Sequence, residues 1–248
     1  MTRTPDKEKR AQGFGAHCPA PSTLPAVFSY VLLLAIILIE YAFFQNFVLA
    51  EISPFFPDTY DQAVYLLRAY ELYESLVKES GALAKSFLLL KEIIAPNHPQ
   101  GKLLPILANL LFLTDGPSRL NALLVNFALF AALQTAMFYT IKRISGRYSI
   151  AFMALATLLS ITFPFSAVGN IYDFRMDFAA FATYGIFASV VVCSNAFLSR
   201  RWSLAVMITA AFMLLLRQPY YRISRDSLLP PAPCPYSDIS HGQRRSPA

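Results

Sequence analysis

Carboxylates gather in two short stretches that flank apolar runs. Pro57-Asp58-Thr59-Tyr60-Asp61-Gln62-Ala63-Val64-Tyr65 follows the first long hydrophobic segment, and Asn170-Ile171-Tyr172-Asp173-Phe174-Arg175-Met176-Asp177 precedes a later one. A carboxylate beside a hydroxyl substrate can take its proton during attack, and a guanidinium suits bidentate contact with phosphate. Each residue also has a plainer role. Asp58 and Asp61 are spaced like a helix N-cap and its N3 partner, where acids favour the helix dipole. Asp173 and Asp177 can solvate a turn, with Asp173 capping the next span, and Arg175 can reach up to lipid headgroups. Glu40 lies inside the first apolar run. A carboxylate there is costly and faces either a bundle interior or cavity, or packs protonated against a neighbouring helix.

The elements that must position these groups are membrane helices. Of 248 residues, 56% are hydrophobic and only 15% charged, against about 25% in an ordinary soluble domain. The expected fold is an all-α polytopic bundle with about five spans, near 26–50, 120–141, 150–168, 178–198 and 202–216. Residues 1–25 read as a basic cytoplasmic leader. No apolar run precedes Cys18, which argues against a lipoprotein signal, and 26–50 reads as an uncleaved anchor. Residues 51–119 form a long loop with its own helices. Over Tyr60–Lys78 the periodicity predicts an interfacial amphipathic helix. Its apolar stripe is Ala63, Leu66, Leu67, Tyr70, Tyr73 and Val77, and Arg68, Glu71, Ser75 and Lys78 lie opposite. Tyr60, Tyr65, Tyr70 and Tyr73 read as interfacial aromatics. Leu103–Leu113 is about half the length a span needs and reads as re-entrant or surface-lying. The Pro-rich tail, 222–248, has a disorder-like composition.

Charge fixes an expected orientation. With the N-terminus in the cytoplasm and Leu103–Leu113 not crossing, Lys142–Arg147 and Arg200–Arg201 also fall inside. Asp58, Asp61, Asp173, Arg175 and Asp177 then share the outer side. The formal charge of +6 is ordinary for membrane loops, and no basic-aromatic pattern argues for nucleic acid. Cys18, Cys193 and Cys234 make no disulfide framework. They and His17, His98 and His241 are scattered, so spacing supplies no metal site.

The order of four short motifs resembles the GT-C class of polyprenyl-phosphate-sugar glycosyltransferases, in particular the dolichyl-phosphate-mannose protein mannosyltransferases and the aminoarabinose transferases. The resemblance runs from about Ala26 to Tyr221. Asp61, Ala63 and Tyr65 match an Asp-Glu-Ala-x-Tyr element, with Gln62 where many members have a second acid. His98 and Pro99 match His-Pro-Pro-Leu, with Gln100 for the second proline. Arg175, Met176 and Asp177 match a turn before a span, and Arg217 stands near a basic position after a later helix. The resemblance implies transfer of a sugar from a polyprenyl-phosphate donor to a glycan, lipid or protein hydroxyl at the outer face of a plasma or inner membrane. Asp61 would be the base. Arg175, Arg217 and Lys102 would steady the leaving phosphate, and His98, Tyr65 and Asp177 would line the substrate site. Members are usually longer, which leads us to expect an N-terminal piece of such an enzyme. The resemblance leaves room for a divalent metal, which the sequence does not support. The rivals are a non-catalytic scaffold or remnant and a transporter built on Glu40; the latter would be favoured by inverted repeats, and none is evident.

Overall fold

The computed structural model describes residues 23–55, 57, 60–94, 103–161 and 170–216. Among them the regular elements are all helical. They are α1 (Thr23–Phe47), α2 (Tyr60–Lys78), α3 (Ala82–Ile94), α4 (Leu103–Asp115), α5 (Arg119–Ser145), α6 (Tyr148–Ser160), α7 (Met176–Cys193) and α8 (Arg200–Leu216). Among the described residues three segments are long and apolar enough to cross a bilayer: Ala26–Ile52 with 27 residues, Arg119–Ser145 with 27 and Met176–Cys193 with 18. The protein is thus a helical membrane protein by length and composition. Leu103–Asp115 and Tyr148–Ser160 are shorter apolar helices.

α5 is the axis of the bundle. Its start is set by Ser118, whose hydroxyl accepts from the Asn121 amide at 3.1 Å, and its end by Gly146 in the left-handed region at φ 70. That conformation suits glycine because it has no Cβ. At 1.5 Å per residue, Arg119 and Arg143 lie ~36 Å apart, a little more than the ~30 Å hydrocarbon core. α4, α6 and α7 pack along it, and α8 packs on α7. At the Arg119 end, Phe44, Tyr65, Leu104, Phe112, Leu123, Phe174 and Leu216 share one core. Phe130, Leu133, Phe178 and Ala182 form the middle. Leu33, Phe138, Ala151 and Leu155 form the other end.

Chain return follows from these contacts. Tyr148 lies beside Lys142, whose ammonium sits 5.2 Å from the ring centroid. By Ile171 and Asp173 the chain is back beside Asn126, ~24 Å along α5. Close packing of α7 on α5 uses small residues, as helices in lipid do. Ala179 and Ala182 are fully buried, and a Cβ on Gly185 would collide with a methyl of Leu133.

Several expectations change. The fourth span does not reach Leu198: α7 ends at Cys193, and Asn195, Ala196 and Phe197 follow with φ of 50, 54 and 65. Ser194 holds this left-handed turn, accepting from the Phe197 amide at 3.3 Å. The buried stripe of α2 is Gln62, Tyr65, Leu66, Ala69 and Leu76, while Leu67 and Val77 are more than half exposed. The stripe turns because α2 packs on α4, and the buried Asn109 amide donates to the Ala69 carbonyl at 2.9 Å. Tyr65 is therefore a core residue, and Tyr70 and Tyr73 pack half-buried against the core, their rings 5.5 and 6.0 Å from Phe112. Tyr60 remains exposed. α4 packs into the bundle, with Leu103, Leu104, Ile106, Ala108 and Phe112 buried. The leader through Ser22 and the tail, 222–248, lie outside the described residues.

Candidate functional site

The two acidic stretches meet at the Arg119 end of α5. Tyr65, one turn into α2, is 5% exposed. Burial pushes its phenol up to about 12, and the charges of Asp61 and Asp177 push the same way, while Arg68 opposes them. Asp61 in the first turn of α2 and Asp177 in the first turn of α7 thus act on one buried phenol. Both carboxylates are exposed. Each lies in a first turn, where the helix dipole favours an anion.

The turn ahead of α7 is held from every side. The Tyr172 ring packs on Phe44 at 5.6 Å and Phe47 at 4.5 Å, both from α1. Asn170 accepts from the Tyr172 amide at 2.8 Å, and Phe174 is fully buried. The Tyr172 carbonyl accepts from Gln62 at 3.3 Å. Asn126 donates to the carbonyls of Ile171 at 3.3 Å and Asp173 at 2.8 Å.

Arg175 is the N-cap residue of α7, with no side-chain cap bond, and pairs with Asp173. Asp173 therefore does not cap the span as its position suggested. Its carboxyl is raised above the usual range, chiefly by burial. Arg175 pulls it down by charge and hydrogen bond, Asp177 pushes it up, and Arg119 pulls it down. Burial outweighs the pairing because desolvation penalises the charged form.

Arg119 is the main residue that sequence reasoning missed. It heads a helix, where a cation opposes the dipole, and is held there by acceptors. Its guanidinium donates to the Ile52 carbonyl at 2.7 Å, the Phe55 carbonyl at 2.5 Å and Gln62 Oε1 at 3.2 Å. Ile52 is the last residue of a π-helical turn, Val48–Ile52, that extends α1. Gln62 thus donates to one group and accepts from another, a dual role that a carboxylate cannot play. The available signal was a lone arginine between an N-cap serine and an apolar run. Asn126, fully buried in that run, was a second.

Asp61, Tyr65, Asp173, Arg175 and Asp177 are therefore brought together with Arg119. His98, Lys102 and Arg217 lie outside the described residues, as do Asp58 and Pro99. Glu40 is elsewhere. Gln134 on α5 donates to it at 2.6 Å, ~22 Å along the helix from Arg119. Among the described residues no group of three or more His, Cys, Asp or Glu could hold a metal ion. No protein family, curated protein or solved structure matches the chain.

Proposed function

We propose that the protein is a membrane glycosyltransferase of GT-C type, or the front part of one, taking a sugar from a polyprenyl-phosphate donor to an acceptor hydroxyl outside the cytoplasm. The supporting observation is the meeting of Asp61 and Asp177 about the buried Tyr65, with Arg119 and Arg175 in the same cluster. In this reading the acceptor oxygen bonds to the anomeric carbon as the bond from that carbon to the phosphate oxygen breaks. Asp61 takes the hydroxyl proton. The polyprenyl phosphate leaves with the bonding electrons, and a cation offsets its growing charge. Arg175 is the nearer candidate, since Arg119 already serves backbone carbonyls. Asp177 lines the substrate side with Tyr65. In this reading α6 and α8 complete about five spans, and the N-terminus is cytoplasmic.

A non-catalytic scaffold is the second reading, because both arginines are engaged by the protein itself, Arg119 by carbonyls and Arg175 by Asp173. Transfer of radiolabelled sugar from polyprenyl-phosphate donors, in membranes holding the wild type or Asp61→Asn, separates the two. Transfer that falls at least about a hundredfold in the variant fits loss of a general base. Equal transfer in both removes Asp61 from the chemistry, and no transfer across donors and acceptors favours the scaffold.

A further inference from the structure

The opposite end of α5 carries a different feature. A groove of about 510 Å³ opens between helices there, lined by Tyr30 of α1, Ala132, Ala136 and Tyr139 of α5, Val190 of α7 and Trp202 of α8. Its threonine and serine hydroxyls are occupied. Thr135 donates to the Ala131 carbonyl at 2.8 Å, Thr140 to the Ser189 carbonyl at 3.3 Å, and Ser189 to the Gly185 carbonyl at 2.9 Å. Apart from the Tyr30 and Tyr139 hydroxyls, the surface offered is therefore hydrocarbon. From Ala131 to Tyr139 it follows α5 for ~12 Å.

Cations crowd one end of this groove. The Tyr139 and Trp202 rings stack at 5.6 Å to form a wall, and the Arg143 guanidinium lies 5.6 Å from the Trp202 centroid. Lys142 lies over Tyr148, and Arg147, Arg200 and Arg201 are exposed at the adjoining helix ends. The stretches 116–172 and 178–216 contain no Asp or Glu, so Asp177, in the first turn of α7 at the far end of the bundle, is the only carboxylate on α5, α6, α7 and α8. An apolar slot continuous with a basic belt that no carboxylate answers among the described residues fits a molecule with a hydrocarbon tail and an anionic head. Aromatic rings with basic side chains also mark the headgroup level of a membrane.

We propose that this groove binds one acyl chain of an anionic phospholipid, whose phosphate headgroup rests against Arg143 and the arginines ahead of α8. The site is independent of the acidic cluster and of any transfer reaction there.

Native mass spectrometry of the detergent-purified chain, titrated with phosphatidylglycerol or with phosphatidylcholine of the same acyl composition, tests it. One phosphatidylglycerol per chain is expected to bind at least about tenfold tighter than phosphatidylcholine, since each surface cation is worth about fivefold. Arg143→Gln, on an exposed side chain, should weaken phosphatidylglycerol by about fivefold and leave phosphatidylcholine unchanged. Ala132→Phe, which fills the groove from an exposed position, should weaken both while helix content by circular dichroism stays intact. Equal binding of the two lipids by the wild type overturns the proposal. So does phosphatidylglycerol binding that Ala132→Phe leaves untouched, or a second copy of the chain occupying the groove in place of lipid.

Discussion

At the residue scale the cluster depends on groups that each answer more than one partner. Arg119 is the most committed. Replacing it with Gln leaves two backbone carbonyls and Gln62 short of a charged donor, each such bond being worth about 1.5–3 kcal/mol. Arg119→Gln should therefore cost at least about 2 kcal/mol in denaturant unfolding, and Arg119→Lys less, because a single ammonium keeps charge but not the fork. Equal losses would contradict the carbonyl-bridging role. Asp173 sets a pH dependence. Folding raises its pKa from 3.8, so the native state favours the protonated form. That contribution is fully present below 3.8 and is lost as pH rises through the folded value. The thermal midpoint of the wild type relative to Asp173→Asn should accordingly rise as pH falls from 7 towards 4. A difference that shrinks on acidification would mean that Arg175, and not burial, governs the group.

At the scale of elements, the long helices were legible and their faces less so. Apolar length alone marked α1, α5 and α7, because a bilayer demands about 20 apolar residues. The turn of the α2 stripe was hidden, because it depends on the contact with α4 and on the polar Gln62 being buried by partners distant in sequence. Left-handed residues at 195–197 carry no glycine to announce them. α3 is amphipathic as well, and its apolar face is uncovered: Leu83, Phe87 and Leu90 are 88%, 70% and 51% exposed at helical spacing on one face. Such a helix should lie in the interface. Phe87→Trp, made with Trp202→Phe so that the new indole is the sole emitter, should show blue-shifted emission quenched by brominated lipids. Emission like that of indole in water would contradict it. The α5–α7 contact gives a further expectation. Gly185→Ala displaces only a flexible methyl of Leu133 and should cost little, whereas Gly185→Leu forces overpacking of about 1–3 kcal/mol, read as a lower unfolding midpoint.

At the scale of the whole molecule, one end is acidic and tightly hydrogen-bonded and the other basic and aromatic. The charge order along the sequence foretold this polarity, since Lys142–Arg147 and Arg200–Arg201 alternate with the two acidic stretches. It did not foretell Arg119 as the hub, because a lone arginine at a loop boundary has no distinguishing pattern until its carbonyl partners are placed. In the proposed topology the short helix α4 does not cross, which keeps the two acidic stretches on one side; were it to cross, every later element would invert. The decisive measurement is labelling with a membrane-impermeant maleimide, on single cysteines placed at 61, 177, 147 and 200 in a chain whose own three cysteines are replaced by serine. Cysteines at 61 and 177 should label on intact cells, and those at 147 and 200 only after permeabilisation. Cysteines at 61 and 177 labelling from opposite sides would contradict a single site built from both.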